Sequence, residues 1–400
     1  MRVVHKYGGS SVATIEQIQS IASYLKKLHE KGDEIVVVVS AMGKTTDSLI
    51  ASANEIAQSP SKREMDLLLS TGEMKSIALL AIALNNIGVP SVALTGFQAG
   101  FKTNDEFSRA FITDLDVSRV EQELSEGKVV VVAGFQGICN KGDITTFGRG
   151  GSDTTAVALA SKLKCPCEIY TDVESVHTID PRLYPKAKKI HKVCFEEMME
   201  MAVGGAKILD ARCVELAKKY NVELYLGKTL ESNKSKGTLV MENNTYFEEM
   251  PITSLAVKNN INILSIKTSI SNKDVIPKIF EILINNKINY EMISLCEFDE
   301  FFVFSFCASE QEAYKIKQDI IHSDINKLIE IETKKDVCKV IMVGMGLATH
   351  TRIASKVFKT LSDNCIKYSF ISISEISISF VVKEEFKERV VGLLAEKFNL

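Results

Sequence analysis

Hydrophobic positions in the first half of the chain follow two alternating spacings. Continuous β-branched runs at residues 35–39 and 129–133 are typical of strands buried on both faces of a parallel sheet. Apolar residues at helical spacing fill residues 15–28, and residues 65–84 form a longer apolar helical region. This alternation predicts a doubly wound α/β domain with a mostly parallel sheet, in which ligands bind at the carboxyl ends of the strands.

The pattern changes after about residue 237, where the chain becomes poorer in glycine and richer in Ile, Phe and Asn. Two successive stretches then repeat one order of elements: strand, helix, strand, strand, helix. The first begins with a strand at residues 263–266, and the second begins with a strand at residues 339–343. The repeat predicts an internal duplication of a small βαββαβ module, and such pairs usually bind a small molecule at an interface.

Composition narrows the classes of protein that this pattern allows. The chain has 400 residues, of which 46% are hydrophobic and 25% charged, which predicts a globular protein of two or three domains. The net charge is −3 and there is no basic tract, so we expect neither a nucleic-acid partner nor an anionic membrane surface. The N-terminus lacks the apolar core of a signal peptide, and the longest apolar run, residues 77–84, is too short to span a bilayer. We therefore expect a soluble, cytoplasmic protein.

Cysteine and histidine usage gives no sign of a metal centre. Nine cysteines are scattered without a C-x-x-C pair, a pattern that predicts reduced thiols. Cys165 and Cys167 are the one close pair, and no histidine accompanies them. The six histidines show no H-x-x-x-H spacing. We expect no metal site built from protein side chains.

The glycine-rich stretch at residues 148–156 is the chemically richest part of the sequence. It precedes an apolar helical segment, so backbone N–H groups at a helix start can receive an anion such as phosphate. Arg149 can bind a carboxylate or phosphate through two parallel hydrogen bonds, and Asp153 can hold an ammonium or orient a lysine. A helix-capping turn with incidental charges explains the same local residues equally well.

Three common nucleotide-binding signatures are absent. The run Gly43-Lys44-Thr45 resembles the end of a P-loop, but Val38 stands where that motif needs its first glycine. Gly344 and Gly346 follow a predicted strand, yet Thr349 replaces the third glycine of a dinucleotide fingerprint. The H-R-D and D-F-G signatures of protein kinases are also missing. If this protein transfers a phosphoryl group, it does so with a different fold.

Five motifs in order carry a resemblance to a known family. They are Lys6-Tyr7-Gly8-Gly9-Ser10-Ser11-Val12, residues 40–47, Ser70-Thr71-Gly72-Glu73, residues 148–154, and Thr171-Asp172 followed by Asp180-Pro181-Arg182. The chain resembles the aspartate kinases of the amino-acid-kinase superfamily, and its duplicated tail resembles their paired ACT regulatory modules.

The resemblance implies a domain organisation. Residues 1–245 would form a catalytic domain, a three-layer αβα sandwich with a mostly parallel sheet. Residues 246–400 would form tandem ACT modules, the first at about 260–330 and the second at about 335–400, with strand exchange between them left open.

An activity is implied as well. Members transfer the γ-phosphoryl group of ATP to the β-carboxylate of L-aspartate, giving 4-phospho-L-aspartate and ADP, the first step of lysine, threonine and methionine biosynthesis. The transfer needs no general base because a carboxylate is already the nucleophile, so catalysis is mainly positioning and charge neutralisation. Mg²⁺ is expected to arrive with the nucleotide phosphates rather than in a protein cage.

Residue roles are implied where positions match the family motifs. Lys6 and Lys207 match lysines that face the transferring phosphates, and Asp153 matches the carboxylate that organises Lys6. Arg149 would bind the α-carboxylate of aspartate and Glu73 its ammonium. Further implied substrate contacts are Thr46, Gly150, Gly151 and Ser152. Further implied nucleotide contacts are Tyr7, Gly8, Gly9, Ser10, Ser40, Thr171, Asp172, His177 and Arg182.

Regulation is implied by the tail. Feedback inhibition through the ACT modules would involve lysine, alone or with threonine. Effector contacts would fall on Asn289, Met292, Ile293 and Ser294, although the alternation there equally fits a plain β-ladder. Exposed sheet edges in ACT modules imply a homodimer or homotetramer.

Three positions depart from the family pattern. Asp210-Ala211 stands where a His-Pro pair is common, His177 replaces a usual tyrosine, and Glu174-Ser175 replaces an Asp-Gly turn. Two other functions stay open, a kinase for another acid such as acetylglutamate and an inactive amino-acid sensor. Glu73 argues against the first because an N-acylated substrate has no ammonium. The presence of both phosphate-facing lysines argues against the second.

Overall fold

The computed structural model describes residues 1–206, 208–231, 234–242, 252–272, 274–286, 291–348 and 350–400, without the side chains of residues 291 and 351. These form two compact units. The first comprises Met1–Val176, Lys189–Ala202 and Lys207–Tyr246, and the second comprises His177–Lys188, Val203–Ala206 and Phe247–Leu400.

Fourteen strands and seven α-helices are described up to residue 242. The strands are β1 (Arg2–Tyr7), β2 (Glu34–Val39), β3 (Ser91–Leu94), β4 (Phe101–Thr103), β5 (Ile112–Leu115), β6 (Val129–Ala133), β7 (Gln136–Cys139), β8 (Ile144–Thr146), β9 (Cys167–Thr171), β10 (Val176–His177), β11 (Lys189–Ile190), β12 (Lys192–Cys194), β13 (Leu224–Lys228) and β14 (Thr238–Met241). The helices are α1 (Ile15–His29), α2 (Thr45–Ile56), α3 (Lys62–Asn86), α4 (Ser118–Ser125), α5 (Gly151–Leu163), α6 (Phe195–Val203) and α7 (Ala211–Tyr220).

An eight-stranded sheet organises the first unit. Its strand order is β12-β14-β13-β9-β1-β2-β6-β3, and all neighbouring strands are parallel except the antiparallel pair β13 and β14. Helices α1 and α3 pack on one face, where Ile21 and Leu80 join the core of the sheet. Helix α5 lies against β1, β2 and β9, and its residues from Gly151 to Ala160 are buried. The predicted α/β architecture with a mostly parallel sheet is confirmed.

Helix α3 carries a polar group on its buried stripe. By length and composition it could cross a membrane, with a mean hydropathy of 1.6 over an 18-residue window. The stripe that faces the protein interior, however, includes Asp66, Ser70 and Glu73 together with Leu80 and Leu84. Carboxylates on the inward stripe are typical of a core helix that serves a site.

A smaller sheet in the order β5-β4-β7-β8 ends at Thr146, just before the glycine-rich loop.

The second unit is built around two long strands. Its elements are β15 (Ser254–Ser269), α8 (Val275–Asn285), β16 (Glu291–Glu297), β17 (Phe301–Ser309), α9 (Glu310–Ile321), β18 (Ile329–Val343), α10 (Thr351–Asp363), β19 (Tyr368–Ile373), β20 (Ser377–Lys383) and α11 (Lys387–Phe398). They form one antiparallel sheet in the order β16-β17-β15-β18-β20-β19.

The sheet shows the predicted duplication and an exchange of strand halves. Residues 254–258 of β15 pair with residues 339–343 of β18, beside β20, while residues 264–268 of β15 pair with residues 329–333, beside β17. Each long strand therefore contributes one half to each module. The edge strands β16 and β19 also share an irregularity, because Met292 and Phe370 both have a positive φ, 53° and 52°, at a shift in pairing register.

A short stretch from the first half of the chain, His177–Lys188, belongs to the second unit, and we call it the inserted segment. Ile179 is 1% exposed and lies in the same hydrophobic cluster as Val340 and Phe380, and Leu183 packs against that cluster. The backbone N–H of Leu255 donates to the carbonyl of Thr178 at 2.7 Å. The inserted segment is therefore part of the core of the second unit.

We expect Leu80→Ala to lower the free energy of unfolding of the first unit by about 2–5 kcal/mol, because Leu80 is fully buried between α3 and the sheet. Leu67, on the same helix, is 47% exposed, so Leu67→Ala is the matched control and should cost less than about 1 kcal/mol. Urea denaturation followed by circular dichroism measures both. Equal losses for the two variants would contradict the packing described for α3.

Candidate active site

The carboxyl ends of the central strands bring several backbone loops together. After β1, the N–H of Gly8 donates to the carbonyl of Tyr170 at the end of β9, at 3.2 Å. After β2, the N–H of Gly43 donates to the carbonyl of Gly9 at 3.0 Å. A Cβ on Gly9 would lie 2.7 Å from the carbonyl oxygen of Ala41, so only glycine allows this approach. The loops after β1 and β2 therefore form one continuous rim.

A close ion pair lies beneath this rim. Lys6, near the end of β1, places its Nζ 2.6 Å from Oδ1 of Asp153 in the first turn of α5. Both residues are less than a tenth exposed. Burial raises the pKa of the nearby Cys167 and Cys213 thiols well above their usual range, and the Asp153 carboxylate adds to this effect. Both thiols therefore stay neutral, and Lys6 and Asp153 provide the charge here.

The start of α5 faces the end of β6. Gly150 has a φ of 66°, and a Cβ there would overlap the side chain of Asp210, so glycine is required on both counts. Ser152 lies against Gly134, which immediately follows β6. A Cβ on Gly134 would lie 2.6 Å from the Oγ of Ser152. The first N–H groups of an α-helix lack intrahelical partners and favour an anion. Because the first turn of α5 carries Asp153, this helix start lies beside the ion pair.

Glu73 is a buried carboxylate with no ion-pair partner among the described residues. It is 4% exposed, and its Oε1 accepts a hydrogen bond from the N–H of Ala41, just after β2, at 3.1 Å. Its Oε2 has no hydrogen-bond partner among the residues that the structure describes. Burial raises the pKa of Glu73 to about 7. A ligand ammonium would supply the missing charge and the missing donor.

Arg149 carries the charge that complements Glu73. It is exposed, it sits between two glycines with positive φ, and it has no ion-pair partner within the described parts of the chain. The guanidinium can therefore bind an incoming carboxylate by donating two parallel hydrogen bonds to it.

Other predicted site residues occupy the same strand ends. Thr46 lies in the first turn of α2, and Ser40 directly follows β2. Ser10 lies in a short 3₁₀ turn after β1. At the end of β9, the hydroxyl of Thr171 donates to Oδ1 of Asp172 at 2.8 Å.

The remaining predicted residues belong to the second unit or lie outside the described residues. His177 and Arg182 lie on the inserted segment in the second unit, where Arg182 pairs with Asp180 at 2.6 Å. Lys207 and Asn289 lie outside the described residues. Met292, Ile293 and Ser294 lie in β16 of the second unit.

The departure at Asp210-Ala211 has a structural explanation. Asp210 caps α7, because its carboxylate accepts from the N–H of Arg212 at 3.0 Å. Its side chain also packs against the backbone of Gly150. The substitution therefore keeps a helix start beside the glycine-rich loop, and an aspartate cap of this kind contributes about 1 kcal/mol.

Sequence reasoning missed three residues of this region. Thr229 follows β13, and its hydroxyl lies 2.6 Å from that of Ser11 and donates to the carbonyl of Thr171 at 3.0 Å. Asp66 and Arg212 both bind the backbone just before the glycine-rich loop, at Thr146 and Phe147. Only Asp66 left a local sign, a carboxylate at helical spacing from Glu73 and Leu80 on an apolar stripe.

A second polar cluster lies on the opposite face of β1 and β9. Glu168 is contacted by His5, Tyr170 and Lys234. Burial alone would raise the pKa of Glu168, but these partners outweigh it and lower the pKa to about 2. Glu168 lines a cavity of about 530 Å³ that includes Pro166 but none of the residues at the strand ends. No group of three potential metal ligands occurs in the described part of the chain.

Fold and site together define a class of protein. Residues 1–228 match the model of the amino acid kinase family, and residues 340–398 match that of an ACT domain. The first match covers more than half of the chain, so the class is that of the amino acid kinases.

Individual relatives narrow this class. The aspartokinase of Geobacillus stearothermophilus is 40% identical over 408 aligned residues, which cover 100% of this chain and 97% of that protein. The chain therefore belongs to the aspartokinase family, a family of ATP-dependent kinases.

Solved structures share its fold. E. coli aspartokinase III in complex with aspartate and ADP, in its R state, is 24% identical with a TM-score of 0.82 and covers 100% of both chains. The same enzyme in complex with lysine and aspartate, in its T state, is 25% identical with a TM-score of 0.75 and covers 99% of both chains.

Glu73 should leave a pH-dependent signature on stability. Its carboxyl has a pKa near 4.5 when unfolded and about 7 when folded, so ionisation above pH 4.5 costs the folded state free energy until about pH 7. Glu73→Gln keeps an oxygen for the Ala41 N–H and removes the charge. We expect the free energy of unfolding of the variant to rise relative to that of the parent as the pH increases from about 5 to 7. At pH 8 the difference should be roughly 3 kcal/mol.

Urea unfolding at pH 5, 6, 7 and 8 measures this difference. Glu55→Gln, at an exposed position on α2, is the control and should show no such trend. A stability difference for Glu73→Gln that stays flat across this range would contradict the raised pKa.

Proposed function

We propose that this protein transfers the γ-phosphoryl group of ATP to the β-carboxylate of L-aspartate, forming 4-phospho-L-aspartate and ADP. We assign this reaction to the first step of lysine, threonine and methionine biosynthesis. The observation that carries the proposal is Glu73, a buried carboxylate of which one oxygen has no hydrogen-bond partner in the part of the chain that the structure describes. It fits an acceptor with a free ammonium, which aspartate has and N-acylated acids lack. Membership of the aspartokinase family supports the same substrate.

In the proposed transfer, a β-carboxylate oxygen attacks the γ-phosphorus, and the bond from that phosphorus to the bridging oxygen breaks. The electron pair of the broken bond stays on ADP, and no proton has to be removed from the nucleophile. Both reactants are anions, so the protein must neutralise charge and align them. Lys6, held by Asp153 at 2.6 Å, supplies a fixed cation. The loop at Gly8 and Gly9 would let backbone N–H groups approach the phosphates.

The acceptor would bind at the same strand ends, next to the nucleotide phosphates. Arg149 would grip the α-carboxylate of aspartate through two bonds, while Glu73 pairs with its ammonium. Further contacts would come from the hydroxyls of Thr46 and Ser152 and from the N–H groups of Gly150 and Gly151. These opposite charges fix both ends of the amino-acid backbone and leave the β-carboxylate free to react.

Nucleotide binding is assigned to the strand ends on the other side of β1. The proposed contacts are Lys6, Tyr7, Gly8, Gly9, Ser10, Ser40, Thr171, Asp172, His177, Arg182 and Lys207. The ammonium of Lys6 and the backbone N–H groups of this region suit phosphate oxygens. Mg²⁺ would be held by the nucleotide phosphates and would help to neutralise them. Unpaired cysteines suit a cytoplasmic location.

Regulation is assigned to the second unit. We propose lysine as the effector, with contacts at Asn289, Met292, Ile293 and Ser294, because E. coli aspartokinase III was solved with lysine bound. The edge strand β16 exposes Ile293 and Leu295, and the edge strand β19 exposes Ile371 and Ile373. Apolar residues along an unpaired sheet edge favour pairing with another copy, so we propose a homodimer or homotetramer.

Hydroxamate trapping tests the acceptor directly, because hydroxylamine displaces phosphate from an acyl phosphate and the resulting hydroxamate gives a coloured complex with added iron(III). We expect product from L-aspartate with ATP and Mg²⁺, none from L-glutamate or N-acetyl-L-glutamate, and less product when L-lysine is added. Product from N-acetyl-L-glutamate alone would indicate a different amino acid kinase. Lysine binding without any turnover would indicate a sensor. Full activity at saturating lysine would refute the assigned effector.

Arg149→Ala should raise the KM for aspartate about 10- to 100-fold, the effect of losing a charge-assisted bidentate contact. The KM for ATP should change less than about twofold, since the guanidinium is assigned to the acceptor. Arg119→Ala is the matched control, because Arg119 pairs with Glu123 on α4. An unchanged KM for aspartate in Arg149→Ala would remove this residue from the acceptor site.

A further inference from the structure

Asp66 is a buried carboxylate whose partners are backbone and hydroxyl groups of two loops. It is 0% exposed on α3. The N–H of Ser108 donates to its two oxygens at 3.0 and 2.8 Å, and the hydroxyl of Ser108 lies at 3.3 Å. The N–H and the hydroxyl of Thr146 each donate to it at 2.8 Å. No cation pairs with Asp66 in the described ranges of the chain, so these loops alone compensate its burial.

Arg212 acts on the neighbouring backbone from the opposite side. It lies in the first turn of α7, and its guanidinium donates to the carbonyls of Phe147 at 3.1 Å and Ala110 at 2.9 Å. Its Cζ also lies 4.9 Å from the ring centre of Phe111. Burial lowers the pKa of Arg212 somewhat from its usual high value, which leaves the side chain charged.

The two residues bind the same two backbone segments. Asp66 accepts from one residue of segment 108–110 and one of segment 146–147, and Arg212 donates to one residue of each. The segments also bond to each other, because the N–H of Ala110 donates to the carbonyl of Thr146 at 2.8 Å. We call this arrangement, Asp66 and Arg212 with segments 108–110 and 146–147, the loop clamp.

Arg149 lies two residues after segment 146–147 of the loop clamp. Gly148, which joins segment 146–147 to Arg149, has a φ of 77°, and a Cβ there would lie 3.0 Å from the carbonyl oxygen of Ser108. The path of the chain into Arg149 is thus set by segment 108–110. Arg149 itself has no partner within the described residues, so the direction of its side chain depends on this backbone.

We propose that Asp66 and Arg212 are positioning residues that hold Arg149 in the orientation that binds the acceptor's α-carboxylate. This inference rests on the proposed function. Buried charges are costly, and apolar residues of similar size often give equal or greater stability. Their expected benefit here is preorganisation, because a guanidinium that is already aligned loses less entropy when it binds a carboxylate.

The test is a double-mutant cycle on the full chain. Asp66→Asn keeps the size of the side chain but replaces one acceptor oxygen with an NH₂ group that cannot accept the loop N–H groups. We expect it to raise the KM for aspartate about tenfold, with less than about a twofold change in the KM for ATP. In the Arg149→Ala background the same substitution should change the KM for aspartate less than about twofold, because the residue through which it acts is gone.

Further variants guard against misfolding. If Asp66→Asn does not fold, as judged by circular dichroism, Thr146→Val removes one donor to Asp66 and should raise the KM for aspartate, while Thr146→Ser should restore it. Arg212→Lys, which loses the planar fork, should resemble Asp66→Asn. Glu123→Gln, at another buried carboxylate that binds Arg119 and Lys128, is the control and should leave the KM unchanged.

The outcomes separate the two proposals. A parent protein that forms no aspartyl hydroxamate contradicts the proposed function, and the loop clamp's assigned role falls with it. A parent protein that forms it, with equal effects of Asp66→Asn in both backgrounds or equal rises in the KM for both substrates, contradicts the loop clamp alone.

Discussion

The buried ion pair between Lys6 and Asp153 is the interaction on which the site depends. Each charge alone would cost several kcal/mol in that environment, so the pair is stable only while β1 and α5 keep their alignment. That alignment requires the turn at Gly150, where no side chain fits against Asp210. It also brings the start of α5 to the end of β6. The charged groups at the strand ends are therefore arranged around one electrostatic contact.

Much of the architecture could be predicted from local pattern. The β-branched runs at 35–39 and 129–133 coincide with β2 and β6 almost residue for residue, because a strand covered on both faces must be apolar throughout. For the long strands of the second unit, the hydrophobic pattern predicts only part of each strand. Residues 263–266 and 339–343 carry the signal, but β15 and β18 extend across both modules. The missing halves pair with partners far away in sequence, which periodicity does not reveal.

The candidate site was predictable to the extent that its chemistry lies at strand ends. Lys6 and Asp153 are 147 positions apart, and the parallel topology explains why they meet. Asp66 and Arg212 were not predictable, because their partners are backbone groups of distant loops, and a backbone N–H or carbonyl has no letter in a sequence. The motif predicts Glu73 as a substrate contact, but its raised pKa depends on burial that only the fold supplies.

The inserted segment interlocks the two units along the chain. Its apolar side chains, Ile179 and Leu183 among them, are covered by residues that come after position 250. A gene shortened to its first 245 codons would encode a polypeptide in which the apolar side chains of the inserted segment are exposed to water. Such a polypeptide would be prone to aggregation and proteolysis. The inserted segment and the residues that cover it therefore have to be matched to each other, and we expect the two parts of the chain to be stable only when they are produced together.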